Sequence, residues 1–321
     1  MDNHKLHVSV SPHIHHRDTT SRIMIDVLIA LVPAFIASII IFGARAAMIT
    51  CVCVISCILF EWVFAKITKR PNTTGDYSAC ITGVLLAFNL PVTIPVWQAV
   101  FGSAIAIILV KQLFGGLGKN FANPAITARI VMFLAFSVTM TTWTLPEGST
   151  SSWWMYPIDG VTGATPLAVM KPGKEALETL PGIWNMILGV RGGCFGETSN
   201  LALLLGGVYL MIRRVITWHA PVAFIVVVFG FSALLGQDPV YHLLAGGLFL
   251  GAIFMATDYV TTPQTNPGRL IFGIGAGIFT VVIRVYGNYP EGVSFAILLM
   301  NILTPYINKF TETKPLGGVK A

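Results

Sequence analysis

Three polar stretches could carry chemistry in an otherwise apolar chain. The first is Asp159-Gly160-Val161-Thr162-Gly163-Ala164-Thr165-Pro166-Leu167-Ala168, within the longest polar interval, from about Thr141 to Ser199. A connection of that length is uncommon unless it binds something or is disordered. Its small residues let backbone approach a ligand closely, and the hydroxyls of Thr162 and Thr165 are points of attachment; the competing reading is a turn-rich loop outside the membrane. The second stretch is Gly192-Gly193-Cys194-Phe195-Gly196-Glu197-Thr198-Ser199-Asn200, where glycines and hydroxyls run directly into an apolar helix. Backbone N–H groups at such a helix start can hold an anion or the polar edge of a ring; Thr198 or Ser199 can equally serve as a plain cap. The third is Phe114-Gly115-Gly116-Leu117-Gly118-Lys119-Asn120, followed by Asn123-Pro124-Ala125. It lacks the Lys-Ser/Thr ending of a phosphate-binding P-loop and has no βαβ unit around it, so it is neither nucleotide motif. A ligand-lining turn and close helix packing at small residues both fit it.

Single residues add to these. An ionisable group at the bilayer centre costs roughly 2.5–3.5 kcal/mol on insertion scales. Asp26, Glu61, Arg129, Asp258 and Arg284 fall within or at the ends of apolar segments and need a reason to be there. Asp26, Glu61 and Arg284 are close enough to segment ends to snorkel. Asp258 follows Met255-Ala256-Thr257 and precedes Tyr259-Val260-Thr261-Thr262-Pro263. Hydroxyls and freed carbonyls there would give a small cation hard oxygen ligands; an ion pair with Arg269 is the alternative. Cys51, Cys53 and Cys57 share one segment, with neighbours on different helix faces, which suits a metal or cluster poorly. They read as small buried hydrophobes, leaving Cys194 as the candidate reactive thiol. His13, His15 and His16 form either a metal-binding cluster or a solvated tail. His219 and His242 lie near segment ends and read as interfacial or satisfied by backbone. No hydrolytic triad, haem or iron–sulfur motif is present.

The elements that must position these residues are membrane helices. Of 321 residues, 55% are hydrophobic and 11% charged, with mean hydropathy +0.75; soluble domains carry about 25% charged residues. The net charge of +6 is no sign of a nucleic-acid partner, because the basic residues sit mostly at the ends of apolar segments without interleaved aromatics. The first ~20 residues hold no apolar core of a cleavable signal peptide. Ten apolar segments are predicted, at about 22–42, 46–65, 77–90, 96–114, 124–141, 200–212, 217–235, 240–257, 270–283 and 293–307. A spanning helix needs about 20 residues, so the third, sixth and ninth are expected to be broken, tilted or half-buried in protein. With the N-terminus in the cytoplasm, 14 of the 20 Lys and Arg fall on that side and 5 outside, with Arg129 within a segment. That distribution follows the positive-inside rule. The expected organisation is a cytoplasmic segment 1–21, a polytopic domain 22–308 with its loop 142–199 facing outward, and a cytoplasmic tail 309–321. A faint repeat pairs Pro95-Val96-Trp97 and Asn123-Pro124-Ala125 with Pro239-Val240-Tyr241 and Asn266-Pro267-Gly268. On this helix count its two copies run the same way.

Thr162-Gly163-Ala164-Thr165, followed by Pro166-Leu167-Ala168, resembles the flavinylation motif of the family that includes RnfD of the Rnf complex and NqrB of the Nqr complex. Val8-Ser9-Val10-Ser11-Pro12-His13-Ile14, Gly196-Glu197-Thr198-Ser199, Ala256-Thr257-Asp258 and the run from Arg284 to Ala296 match as well, so the likeness covers most of the chain. The resemblance implies an all-α membrane protein of about ten transmembrane helices in two inverted five-helix halves, at odds with the parallel repeat. It implies FMN joined through its phosphate to Thr165 by a flavin transferase, within the motif residues Thr162, Gly163 and Ala164. Gly196, Glu197 and Thr198 would lie beside that flavin. Gly115, Gly116 and Asn120 would lie near a second, non-covalent flavin (riboflavin), or near quinone in the quinone-reducing relative, and Asp258 would serve cation uptake. The implied assembly is the ferredoxin:NAD+ oxidoreductase Rnf complex of the bacterial cytoplasmic membrane, with subunits A, B, C, E and G as partners. Electrons would pass from a flavoprotein on the outer face back toward the cytoplasmic side, coupled to Na+ or H+ movement, with Thr165 an attachment point and not a catalyst. Two readings of other classes stay open on sequence: a small-solute channel or transporter of the urea type, which broken helices and an internal repeat also suit, and a purely structural anchor for the rest of an assembly.

Overall fold

The computed structural model describes residues 19–71, 73–144, 165–170, 180–287 and 291–312. Thr162, Gly163, Ala164, the N-terminal histidines and the run Val8–Ile14 lie outside the described residues. Among the described residues the fold is all-helical.

Many helix starts are written in the sequence as a polar cap, often followed by proline, whose fixed φ and missing N–H suit the first turn. Thr19 caps α1 (Thr20–Phe42), and Gly43, at φ 78°, turns the chain into α2 (Ala44–Ile67). α3 (Ser78–Phe88) and α4 (Val96–Ala104) follow, and α4 continues into a π-helical segment, Ile105–Gln112. Asn123 caps α5 (Pro124–Ala135), which breaks at Phe136 before α6 (Ser137–Thr141). Thr165 caps α7 (Pro166–Val169); α8 (Ile183–Leu188), α9 (Asn200–Ile212) and α10 (His219–Leu234) come next. Asp238 caps α11 (Pro239–Leu244), and α12 (Leu248–Leu250) runs into a second π-helical segment, Gly251–Met255. Thr265 caps α13 (Asn266–Tyr286), and α14 (Val293–Thr311) ends the described chain.

Four helices, α1, α2, α13 and α14, are long and apolar enough to cross a membrane; α3, α5, α9, α10 and the α4–π unit are shorter apolar helices. The third and sixth predicted segments are short as expected, at 11 and 13 residues. The ninth is not. The Thr265 cap and Pro267 start it early, and α13 runs for 21 residues. The eighth is the broken one, interrupted at Ala245–Gly247, where Gly246 adopts φ 66°. Polarity is arranged for lipid. Ile40, Ile55, Leu59, Leu234 and Phe310 face outward, while many Ser, Thr, Asn and Gln side chains are buried, where the protein itself must satisfy them.

Two groups of helices, α1–α6 and α9–α14, meet where α1 packs on α9 and α5 on α14. At the first contact a Cβ on Gly206 would fall 2.1 Å from the Ala30 carbonyl oxygen, so the helix backbones touch as only glycine allows. The repeat exists in the backbone. In each copy a short helix begins at or just after a proline, a π-helical segment follows, directly in the first copy and after the break at Ala245–Gly247 in the second, and the chain turns and restarts at Asn-Pro. It pairs the fourth segment with the eighth, whereas a division into five and five would pair the fourth with the ninth. Long π-helical runs are rare and concentrate at functional sites, and each here leads to one wall of the cavity described below.

Candidate functional site

The last part of the polar interval turns inward. Every residue from Arg191 to Asn200 is buried. A Cβ on Gly196 would fall 2.1 Å from the Phe88 ring, so this position admits glycine alone. The Phe195 N–H donates to the Leu90 carbonyl at 3.4 Å, and the Cys194 thiol donates to that of Asn89 at 3.2 Å. Arg129 reaches in from α5, donating to Asn89 Oδ1 at 3.1 Å, Ser294 Oγ at 2.8 Å and Cys194 Sγ at 3.4 Å, and it pairs with Glu291. One guanidinium thus ties together α3, α5, the 191–200 stretch and the start of α14. The plain-cap reading does not hold: Ser199 makes no side-chain capping bond, and Thr198 donates to the Phe195 carbonyl at 3.3 Å. Nor is Cys194 a reactive thiol, because it is buried and burial pushes it well above the usual thiol range.

Thr165 belongs to this region. It is 5% exposed, and its hydroxyl accepts from the Ala168 N–H at 3.3 Å. Leu167 packs with Met186 and Ala245. The break in the eighth segment is where the pieces converge. A Cβ on Gly246 would lie 3.0 Å from both Leu167 Cδ1 and Arg284 Nη2, and one on Gly247 would lie 2.4 Å from Glu197 Oε2. Two successive glycines therefore let Leu167, Glu197 and Arg284 close around one backbone turn. Arg284 does not snorkel; it is 4% exposed and donates to the His242 carbonyl at 2.5 Å and the Ala245 carbonyl at 3.1 Å. Arg191 donates to the Glu197 carbonyl at 3.1 Å; burial lowers its guanidinium to about 10, still charged at neutral pH. Several buried atoms here have no partner: Glu197 Oε2, Nε of Arg191 and of Arg284, and both ring nitrogens of His242. His242 is thus neither interfacial nor backbone-satisfied.

At the opposite end, Gly115, Gly116 and Gly118 take φ of 115°, 89° and 90°, left-handed values that glycine adopts without steric cost. They form a turn and do not pack helix on helix. Asn120 lines a cavity that Gly115 and Gly116 do not reach. Its neighbours there are Ser78, Lys111, Asn123, Thr257 and Asp258, against apolar walls from Ile23, Val27, Ile81, Leu85, Leu210 and Phe254. Apolar walls with a few convergent polar groups are the usual make-up of a small-molecule site, and Asn120 Oδ1 is a buried acceptor with no partner. Glu61 does not snorkel either. Glu61 and Lys111 are 0% and 1% exposed. Lys111 Nζ donates to both Glu61 oxygens at 2.9 and 3.0 Å and to Ser78 Oγ at 2.6 Å, while Thr73 and Gln112 donate to Glu61 Oε1 at 2.7 and 2.8 Å. Asp26 accepts from Tyr209 and Arg213.

Asp258 accepts from the Val260 N–H at 3.4 Å and the Thr261 hydroxyl at 3.1 Å. It forms no ion pair with Arg269, which instead donates to Pro263 O, Thr217 Oγ1 and Asn266 Oδ1. Burial raises its carboxyl above the usual range, against the opposing pull of those two hydrogen bonds. Asp258 lines both the Asn120 cavity and a second one beside it.

The structure brings Thr165, Gly196, Glu197 and Thr198 to one end, and Asn120 and Asp258 to the other. Sequence reasoning missed the partners: Glu291 for Arg129, Lys111 for Glu61, and Arg191 altogether. Lys111 was hidden because a lysine near a segment end reads as a topological marker.

This is a multi-pass membrane protein, and its sequence has close company. Residues 7–317 match the NQR2, RnfD, RnfE family. The chain is 45% identical to the D subunit of the Na(+)-translocating ferredoxin:NAD(+) oxidoreductase complex of Acetobacterium woodii, over 100% of this chain and 98% of the relative. It is 41% identical to the D subunit of the proton-translocating ferredoxin:NAD(+) oxidoreductase complex of Clostridium ljungdahlii, over 97% and 96%. It is 36% identical to the D subunit of the ion-translocating oxidoreductase complex of Escherichia coli K12, over 98% and 99%. With the family match spanning residues 7–317 and the relatives matched nearly end to end, the chain belongs to the NQR2, RnfD, RnfE family.

Proposed function

We propose that this chain is the flavin-carrying membrane component of an Rnf-type ferredoxin:NAD+ oxidoreductase complex, passing electrons between flavins as Na+ or H+ is moved. The observation that carries it is the placement of Thr165: a buried threonine at the head of a short helix whose Leu167 packs against the turn at Gly246 and Gly247, beside Arg284 and Glu197. A solute channel needs no such anchorage. Thr165 holds FMN as a phosphate ester, with Thr162, Gly163 and Ala164 completing the motif that a flavin transferase reads. Gly196, Glu197 and Thr198 wall the same end. When bound, FMN supplies the electron chemistry, and the protein supplies position and field. Asn120, with Ser78 and Lys111, lines the site of a non-covalent flavin, riboflavin, at the other end. The Thr165 end faces outward from the bacterial cytoplasmic membrane, both termini are cytoplasmic, and subunits A, B, C, E and G are the partners. The relatives include D subunits of both a Na(+)-translocating and a proton-translocating complex, so kinship alone does not select the ion.

The test is the mass of the peptide spanning Thr165 from complex made with its flavin transferase, together with flavin fluorescence after denaturing electrophoresis. Expected are an added FMN on Thr165 and complete loss of the fluorescent band in Thr165→Ala. An unmodified peptide, or a band undiminished by Thr165→Ala, would return the chain to the channel or anchor readings.

A further inference from the structure

Around Thr165 the buried charges of the described residues are uneven. Among the described residues, Arg129, Arg191 and Arg284 are opposed there by Glu197 and Glu291 alone. The Cys194 thiol is held neutral by burial, and the His242 ring, with no acceptor at either nitrogen, is neutral as well. Arg129 has Glu291. Arg284 has two backbone carbonyls, no ion pair among the described residues, and a buried Nε without an acceptor. Glu197 and Glu291 share its surroundings, but among the described residues neither bonds to it, and its buried Nε–H is left for a further acceptor to satisfy.

We propose that Arg284 is the counter-charge for the phosphodiester on Thr165. The inference rests on the flavin-carrier reading and names the residue that reading lacks. Arg284 Nη2 and Leu167 Cδ1 flank the same point, each 3.0 Å from where a Cβ on Gly246 would sit, and Leu167 is two residues from Thr165. A phosphodiester carries one negative charge, and the described cluster has one positive charge in excess. Arginine suits the task because its planar fork can keep its carbonyl bonds and still offer N–H groups to phosphate oxygens. A Cβ on Gly246 would stand between Leu167 and Arg284, and its φ of 66° is one that glycine adopts without steric cost. Arg284 is a positioning and binding residue here; it takes no part in electron transfer.

The experiment is a double-mutant cycle on the complete complex, made with its flavin transferase: wild type, Thr165→Ala, Arg284→Gln and the double variant, each scored for melting temperature and for covalent flavin per complex. Removing the phosphodiester should strand the Arg284 charge. Thr165→Ala should therefore lower the melting temperature, and the penalty of Arg284→Gln should shrink by about half or more in the Thr165→Ala background, a coupling expected only of groups that touch. Equal penalties in both backgrounds would overturn the proposal, since carbonyl bonding alone is indifferent to Thr165. If Arg284→Gln fails to assemble, Arg284→Lys decides. Keeping the charge should keep covalent flavin near the wild-type level, and loss of the flavin from an assembled Arg284→Lys complex would count against a charge role. A wild-type Thr165 peptide without flavin would instead defeat the carrier reading itself, an outcome separate from additivity in the cycle.

Discussion

The Thr165 end and the Asn120 end of the bundle handle buried charge differently. At the Asn120 end Glu61 and Lys111 neutralise each other and are fully bonded, by Ser78, Thr73 and Gln112. What remains open is a cavity with apolar walls and one unpartnered amide oxygen, on Asn120. At the Thr165 end the packing admits no side chain at Gly196 and leaves little room at Gly246 and Gly247, yet among the described residues the charges stay uneven and several polar atoms lack partners. A self-satisfied site with a hollow suits a neutral ring that comes and goes. A close-packed site short of an anion suits a charged group that is attached once and stays.

Breaking the central ion pair at each end should sharpen that contrast most. Lys111→Met strands a fully buried Glu61 carboxylate, and Arg129→Met strands Glu291 together with Asn89 and Ser294. Each is expected to destabilise by about 3–5 kcal/mol, the usual consequence of leaving one partner of a buried pair. Adding Glu61→Gln to Lys111→Met should restore most of the loss. Melts of the purified complex measure this, and flavin fluorescence separates the ends. Arg129→Met should also lose covalent flavin, because it releases the 191–200 stretch from α3 and α5, whereas Lys111→Met should keep it. Equal loss of covalent flavin in both variants would mean that the two ends are not independent.

Much of this was legible in the sequence, and the boundary is a physical one. Polar-cap-then-proline starts are local, so the onsets of α5 and α11 follow from Asn123-Pro124 and Asp238-Pro239, whereas α13, expected from about 270, starts at Asn266 behind the same kind of signal. Small residues in 192–200 pointed to a close approach, and Gly196 against Phe88 is one. Hydropathy could not show that this stretch turns inward, since its polarity is satisfied by Arg129 and Asn89, at least 65 residues away. The same limit hid Lys111 in the interior and gave Asp258 a partner in Arg269 that it does not have. Long-range pairing of polar groups leaves no periodic trace, and the break at Ala245–Gly247 looked like ordinary glycine in an apolar run.

A finer comparison sets Gly247→Ala against Asn120→Ala. The first places a methyl within 2.4 Å of Glu197 Oε2. Overpacking of that kind costs about 1–3 kcal/mol, and it should lower covalent flavin while leaving any non-covalent flavin in place. The second removes the unpartnered Asn120 oxygen from the cavity. Loss of one hydrogen bond, about 1 kcal/mol, should weaken riboflavin retention several-fold on dilution and leave the Thr165 adduct untouched. Titration of released flavin against the fluorescent band separates the two, and crossed effects would undo the division between the ends.

The smallest effect tests whether Asp258 is a cation ligand or only a buried acid. Burial raises its carboxyl above the usual carboxylate range, so the folded protein holds a proton there more tightly than the unfolded chain does. Protonation therefore favours the fold, and that contribution fades as pH rises through the raised value. A sodium ion competing for the same oxygens binds the ionised form, so its stabilising effect should grow with pH, the reverse of the proton's. The expected result is a shift in melting temperature on replacing potassium by sodium that is larger at about pH 8 than at about pH 6 and absent from Asp258→Asn. Thr261 supplies a hydroxyl to the same carboxylate, so Thr261→Val should weaken the shift without abolishing it. A sodium effect that survives Asp258→Asn unchanged would move the cation elsewhere and leave Asp258 as a proton-holding group between two cavities.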